Sequence, residues 1–228
     1  PTNTPIPPTA TNTPVPTTST GFLSPSANAA QTTSAGDNNG YQTNPANAYA
    51  NDSVFAVDTN SGTNNNTSCT NTGKDRHTFS NYNFSLTPTA VVTGIQVRLD
   101  ARTDSANSAP KLCIEISWNG GATWTAVKNT TSLTTTETTY TLGGTADTWG
   151  RAWTVNDFTN ANFRIRITDV ASNANRDFSL DYIAVMAISV GLLTGQFLVS
   201  AIITLMLSGG NALEQYAMAK AKKSLTAL

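Results

Sequence analysis

The stretch Phe163-Arg-Ile-Arg-Ile167 alternates apolar and charged side chains with a period of two. Because successive side chains of a β-strand point to opposite faces of a sheet, the pattern predicts a strand whose apolar residues face a core. Arg164 and Arg166 are then expected to face outward. Residues 95–99 (IQVRL) and 112–118 (LCIEISW) alternate in the same way. A shift of one residue would expose every apolar side chain, so the pattern also fixes the register.

Shorter apolar runs, separated by clusters of Gly, Asn, Asp and Ser, predict further strands near residues 53–57, 77–86, 123–128, 138–142 and 180–190. The segment Asn119-Gly120-Gly121 predicts a tight turn, because glycine accepts positive φ without steric cost. No amphipathic helix pattern precedes residue 190. The sequence therefore predicts an all-β fold, a jelly-roll-like antiparallel β-sandwich over residues 21–190.

The first twenty residues, PTNTPIPPTATNTPVPTTST, hold six of the ten prolines and no apolar period. Such a tract favours extended, polyproline-like conformations, so residues 1–20 are predicted to form a Thr/Pro-rich linker. The chain begins inside this tract and without a signal peptide, and we expect it to continue a longer precursor.

Residues 191–228 are predicted to form a hydrophobic helical segment with a basic tail. Residues 191–207 are short for a membrane span and contain Gln196, so a helix buried by neighbouring copies of the chain is the alternative to a bilayer. Small residues that could let helices pack closely are Gly191, Gly195 and Ser200. Basic residues that could anchor the tail on the cytoplasmic side of a membrane are Lys220, Lys222 and Lys223.

Charge and residue types exclude several functions. The net charge is −1 and only 12% of residues are charged, which argues against a nucleic-acid partner and fits an extracytoplasmic surface protein. The single histidine, His77, starts a predicted strand and is expected to be an ordinary surface residue, while Glu115 is expected to face outward. No nucleophile elbow, phosphate loop or zinc pattern occurs, so the chain is predicted not to be an enzyme.

Cys69 and Cys113 are the only cysteines. In an exported protein such a pair is expected to form one disulfide, which here would pin an Asn/Thr-rich loop to a strand. One buried and one exposed thiol is the alternative.

Calcium is the one cofactor that the sequence suggests. Asp52 and Asp58 flank a short predicted strand, and Asp181 begins the last strand. Carboxylates in loops at sheet ends can supply the oxygen ligands that calcium prefers. The alternative is that these residues form turns or strand-edge hydrogen bonds.

Trp124, Trp149 and Trp153 are candidates for stacking against a sugar, because an exposed indole offers an apolar face with a polar rim. Trp118 continues an inward register and is expected in the core. Trp149 and Trp153 lie around a turn, and packing that closes one end of the sandwich is favoured over ligand binding for these tryptophans.

Several strings resemble a jelly-roll module found in bacterial surface and phage-associated proteins, and are more loosely similar to carbohydrate-binding jelly rolls. They are YQTNPANAYANDSVFAV (41–57), ISWNGGATWT (116–125), YTLGGTADTWGRAWT (140–154), FTNANFRIRITD (158–169) and LDYIAV (180–185). The resemblance spans about residues 41–190 and implies a non-enzymatic accessory or adhesive domain. It implies no particular ligand.

Two functions follow. The first is a non-catalytic structural cell-surface protein, held by residues 191–207 in a membrane or among copies of itself in an appendage. The alternative is an adhesive module that binds polysaccharide, with or without calcium.

Overall fold

A computed structural model describes residues 17–191 and, beyond them, Met206, Gly210, Glu214 and Tyr216, each in helical conformation. In chain order the strands are β1 (Thr17–Ser19), β2 (Ala27–Ala30), β3 (Ala56–Asp58), β4 (Arg76–Ser80), β5 (Ala90–Thr103), β6 (Lys111–Ser117), β7 (Lys128–Asn129), β8 (Thr138–Gly143), β9 (Arg164–Val170) and β10 (Phe178–Gly191). Short 3-10 helices span Pro45–Ala48 and Val155–Phe158.

The strands form two antiparallel sheets that enclose one core. Sheet A has the order β1-β10-β5-β8, with β3 also pairing to β10, and sheet B has the order β2-β4-β9-β6-β7. The all-β antiparallel sandwich expected from the sequence is present, and the described residues before 192 contain no α-helix.

The alternation of β9 organises the core. Phe163 precedes the strand, and with Ile165 and Ile167 it is buried against the other sheet, while Arg164 and Arg166 are only partly buried on the outer face. The period continues for one further step, so Asp169 also points into the interior, where it is 2% exposed. The inner face of one strand therefore runs from an aromatic ring to a carboxyl group.

The weaker strand predictions were displaced at their ends. The run predicted at 53–57 pairs only from Ala56, because Ser53 has a positive φ of 64° that breaks the extended backbone. The run at 77–86 stops at Ser80, and Asn81 follows with φ 61°. Most of the segment predicted at 123–128 is loop, and β7 has only 2 residues.

The domain limits also differ from the pattern. Thr17–Ser19, inside the predicted linker, pairs with Ile188–Val190 of β10, since this proline-free end can join a sheet. Gly191 pairs with Ala90 and ends β10, so it does not belong to a helix as predicted.

Other predictions for the C-terminal segment concern Gly195, Ser200, Lys220, Lys222 and Lys223, which lie outside the described residues. Within the part of the chain that the structure describes, no helix has the length and hydropathy needed to span a membrane.

The two cysteines are brought together. Cys113 lies on the outward side of β6, and the structure links it to Cys69 as a disulfide with Cα atoms 5.6 Å apart. The link holds the loop between β3 and β4 against the outer face of sheet B. That same loop carries Lys74 into the interior, where its side chain is fully buried.

Candidate functional site

The tryptophans separate into two groups. Trp149 and Trp153 are 3% and 7% exposed. The Trp149 indole N–H donates to the carbonyl of Ile95 at 3.0 Å, and that of Trp153 donates to the carbonyl of Thr148 at 2.8 Å. Their rings belong to the core, so they offer no open face for a ligand and close the sandwich, as the packing alternative expected.

Trp118 and Trp124 lie nearer the surface. Trp118 is partly buried and packs against the core, with its ring centroid 6.4 Å from that of Trp153. Trp124 is also partly exposed, but it is not part of the core cluster. It lies over the outer face of sheet B, which leaves it as the one tryptophan candidate on an accessible sheet surface among residues 17–191.

The loop after β6 fixes the position of Trp124. Thr125 pairs with Ile116 through two hydrogen bonds, its N–H to the Ile116 carbonyl at 2.9 Å and the Ile116 N–H to its hydroxyl at 3.0 Å. Ser117 Oγ accepts the N–H of Gly121 at 2.8 Å, and Gly121 has a φ of 97°. A Cβ at residue 121 would make only ordinary contact with the Trp124 ring at 3.5 Å, so it is the positive φ that favours glycine in this turn.

Arg166 stacks on Trp124, with its guanidinium carbon 4.2 Å from the ring centroid. Nε and Nη2 of Arg166 both donate to Oε2 of Glu115, at 2.9 and 2.7 Å, and Nη1 donates to Gln31 at 3.3 Å. Glu115 faces outward, as expected from the alternation of β6. These bonds orient the guanidinium and leave Arg166 neutralised by one carboxylate.

Arg164 lies two residues away on the same face. Its chain runs along the Gly120-Gly121 turn, and its Nη2 donates to the carbonyl of Ala161 at 3.4 Å. Within residues 17–191, no carboxylate lies at salt-bridge distance from Arg164. Its positive charge is therefore available to a ligand.

These side chains line an open cleft of about 420 Å³. Its walls are Ala29, Ala30, Gln31, Thr78, Gly120, Gly121, Trp124, Arg164 and Arg166. The volume lies within the range of small-ligand sites, roughly 300–1,000 Å³. We call it the Trp124 cleft; it combines an indole, two guanidinium groups, an amide and a hydroxyl.

A second cleft of about 350 Å³ lies on sheet A. It is lined by Val57, Arg102, Thr103, Asp104, Thr135, Asp177 and Ser179, and Arg102 also covers the ring of Phe55 at 4.3 Å. Two of its lining residues are aspartates and no aromatic ring forms its wall. It therefore resembles the Trp124 cleft in its Arg–aromatic pair but not in its lining.

A group of acidic residues is buried between the sheets. Asp58 ends β3 on sheet A and lies against Asp169 of β9 on sheet B, and the Tyr41 hydroxyl donates to Asp169 at 3.2 Å. Within the described part of the chain, no N–H group and no hydroxyl donates to either oxygen of Asp58. Burial, with the neighbouring Asp169, raises the pKa of Asp58 well above its usual range, and burial raises the pKa of Asp169 to about 7.

Asp75 and Lys74 complete this group. Burial first, and then the charge of Asp37, raise the pKa of Asp75 to about 7. Lys74 Nζ donates to Ser61 at 3.4 Å, and burial lowers its pKa although the nearby aspartates favour its charge. The raised pKa values of Asp75 and Asp169 mean that these carboxyl groups stay protonated at higher pH than exposed ones do.

The three aspartates predicted as calcium ligands are divided between two places. Asp181 is buried and accepts the backbone N–H of Asp52 at 3.3 Å, whereas Asp58 faces Asp169. Among the residues described, no three His, Cys, Asp or Glu side chains are arranged to hold a metal ion.

His77 is not the surface residue that was expected. It is 2% exposed on the inner side of β4, where its Nδ1 accepts the N–H of Tyr41 at 3.2 Å and its Nε2 lies 3.0 Å from Oδ1 of Asn28. Burial lowers its pKa to about 4. His77 and Phe79 are two residues apart and therefore share the inner face of β4. The surface position was expected because His77 was placed at the start of the predicted strand.

Comparison with known proteins gives a fold likeness only. No family model and no curated protein matches the chain. A CBM32 module of AlyQ, solved in complex with 4,5-unsaturated mannuronic acid, is 19% identical with a TM-score of 0.37, covering 72% of this chain and 96% of that one. A CBM4 structure is 15% identical with a TM-score of 0.36, covering 60% and 72%.

A longer structure, truncated AlyQ with CBM32 and alginate lyase domains, is 17% identical with a TM-score of 0.38 over 77% of this chain. This chain spans 34% of that protein. The loose similarity to carbohydrate-binding jelly rolls is thus found among solved structures. At this level of likeness it assigns no ligand, and any binding function has to rest on the side chains.

Sequence reasoning found Trp124 and the outward direction of Arg164 and Arg166, but did not join them into one site. The signal that joins them is the register: Arg166 pairs with both Glu115 and Thr78. It also missed Asp169, which one more step of the same alternation would have placed inside.

Proposed function

We propose that this domain is a non-catalytic module that binds polysaccharide through the Trp124 cleft. The observation that carries the proposal is the placement of Trp124 outside the core, on an open sheet face beside two arginines. An indole offers an apolar surface to the C–H side of a sugar ring, while Gln31, Thr78 and the guanidinium groups can bond to its hydroxyls.

The test is binding to a panel of soluble polysaccharides, measured by affinity electrophoresis and calorimetry, with the wild-type chain and Trp124→Ala. We expect the substitution to lower affinity at least tenfold, because the stacking surface is lost. Phe55→Ala is the matched control, since it removes the aromatic partner of the other Arg–aromatic pair. Equal binding by wild type and Trp124→Ala, or loss only in Phe55→Ala, contradicts the proposal.

An extracytoplasmic location is part of the proposal. The linked pair Cys69–Cys113 supports it, because structural disulfides persist in oxidising compartments. Anchoring through residues 191–207, in a bilayer or among copies of the chain, stays a prediction, since that segment lies outside the described residues.

We also propose a calcium site. Of the three aspartates predicted as ligands, only Asp58 is retained in it. Its support is that both oxygens of Asp58 are buried without a donor in the described region, beside Asp169. Thermal melts with excess calcium and with chelator test this. The Tm should be higher with calcium if a cation binds there. An unchanged Tm in wild type, or an increase that survives in Asp58→Asn, contradicts it.

A further inference from the structure

We infer that the Trp124 cleft selects polysaccharides that carry carboxylate groups, such as polyuronates, over neutral chains of the same shape. This inference rests on the proposed binding function and adds the charge of the ligand to it.

The charges of the cleft do not cancel. Arg164 and Arg166 supply two positive charges, and Glu115 supplies one negative charge that is bonded to Arg166. The cleft is therefore positive by one charge, although the whole chain has a net charge of −1. A local excess of the opposite sign attracts an anionic polymer, and this attraction weakens with salt.

The two arginines of the cleft differ in their hydrogen-bond partners. Arg166 is held by Glu115, Gln31 and Trp124, so it is oriented before any ligand arrives. Arg164 has one long bond to a backbone carbonyl and no carboxylate partner within residues 17–191. A guanidinium with free donors matches a carboxylate in a two-bond geometry that neutral hydroxyls cannot reproduce.

The two arginines also lie close together on one face of the sheet. Arg164 and Arg166 are two residues apart on one strand, so their stems are separated by roughly 7 Å on the same face. Arg76, on the neighbouring strand β4, is not among the residues that line the cleft, and its guanidinium donates to the carbonyls of Ser34 and Asn71. Arg164 is therefore the arginine of the cleft that has no carboxylate partner within residues 17–191, and it lies with Trp124 beside Gly121.

The experiment uses the whole chain with two probes of one backbone: polygalacturonate and its fully methyl-esterified form, in which the charge is removed. We expect at least tenfold tighter binding of the acid at low salt, and loss of most of that difference at 0.5 M NaCl. Arg164→Gln should weaken binding of the acid far more than binding of the ester, which removes the preference. Arg102→Gln, in the cleft on sheet A, is the matched control and should behave as wild type.

Equal affinity for acid and ester overturns the inference and leaves the proposed function intact. Absence of binding to the acid, the ester and the neutral panel overturns the proposed function itself. A sulfated polysaccharide tests the other anionic group that a sugar can carry. If the chain binds it but not polygalacturonate, the preference for carboxylate is wrong. An identical loss in Arg164→Gln and Arg102→Gln assigns the effect to net charge and also overturns the inference.

Discussion

The two ends of the core are closed in different ways, although one strand reaches both. At the aromatic end, Phe163 stands among rings whose centroids lie 4.9 to 6.1 Å away, those of Tyr82, Phe84, Trp153 and Phe158. At the acid end, Asp169 stands among polar groups, those of Tyr41, Asp58, Lys74 and Asp75. Only two inward-facing residues, Ile165 and Ile167, separate the two environments.

Two regions of one sandwich are therefore stabilised by different interactions. Packing of rings depends on apolar area and contact, which change little with pH or salt. Buried carboxyl groups are tolerated only when they are protonated or paired with a cation, because an unpaired buried charge is costly. The contribution of the aromatic end to stability therefore changes little with pH, whereas the contribution of the acid end depends on pH.

Phe163→Ala should have the largest effect, a loss of about 3–5 kcal/mol in the free energy of unfolding, because it leaves a cavity among four rings. Tyr41→Phe at the acid end removes one hydrogen bond and should cost only about 1 kcal/mol. Urea denaturation at pH 6 measures both. Equal losses, or a larger loss at Tyr41, would show that the two ends are not closed as described.

Replacing both Cys69 and Cys113 by serine should cost about 2–4 kcal/mol, since the link closes a sequence separation of 44 residues. The loop that it holds carries Lys74, so local opening should concentrate at the acid end. Hydrogen exchange measures this: amides near Lys74 should lose more protection than amides near Phe163, whose loss should not exceed the fall in the free energy of global unfolding. Uniform acceleration along the chain would contradict the local role.

The pH dependence of stability should carry the signature of the acid end. The pKa values of Asp75 and Asp169 are raised to about 7 from an ordinary 3.8, so the folded state binds more protons than the unfolded chain between these limits. The stabilisation that comes from protonating these two carboxyl groups is then fully present below about pH 4 and is lost as pH rises through 7. His77, with its pKa lowered to about 4, acts in the opposite sense up to pH 6.5.

Because His77 ceases to contribute above that point, the fall should be clearest between pH 6.5 and 8, at about 1–2 kcal/mol. Chelator-treated protein, melted across this interval in one buffer series, gives the measurement. Stability that rises from pH 6.5 to 8 would exclude protonated carboxyl groups at the acid end.

The smallest effect compares a buried carboxyl group of the acid end with a partly exposed one beside Trp149. Asp169→Asn should raise stability at pH 8 by about 1 kcal/mol and flatten the pH profile, because a buried charge is removed. Asp147 binds Lys128 at 2.8 Å and the N–H of Trp149, and these bonds hold its pKa below the usual range. Asp147→Asn should lower stability by less than about 1 kcal/mol, since the pair is partly exposed. Changes of the same sign in both variants would contradict the contrast.

The sequence predicts the framework better than the sites. A period of two was sufficient for β9, β6 and the centre of β5, since burial on one face leaves a strong pattern. The same period also indicates the inward positions of Asp169 and His77, because each residue continues the alternation of its own strand. The pairing of Asp58 with Asp169 could not be read, since 111 positions separate them (169 minus 58) and only the stacking of the two sheets brings them together.

The Trp124 cleft is intermediate in this respect. Alternation assigns Arg164, Arg166 and Glu115 to one outer face, and glycine pairs predict the turn beside them. The stacking of Trp124 on Arg166 depends on the pairing of Thr125 with Ile116, a local bond pattern without a periodic signal. Gln31 reaches the same site from β2's end, far away in the chain, and no short-range pattern indicates it.

The pairing of β1 with the last residues of β10 has a mechanical consequence. Thr17 lies opposite Val190, so the chain enters and leaves the sandwich at neighbouring points. Tension applied between these two points pulls perpendicular to the β1–β10 ladder and breaks its hydrogen bonds one after another. In strands pulled from opposite ends, all the hydrogen bonds of the ladder would bear the load together in shear. The domain should therefore yield at low force, releasing β1 first while the rest of the two sheets stays folded.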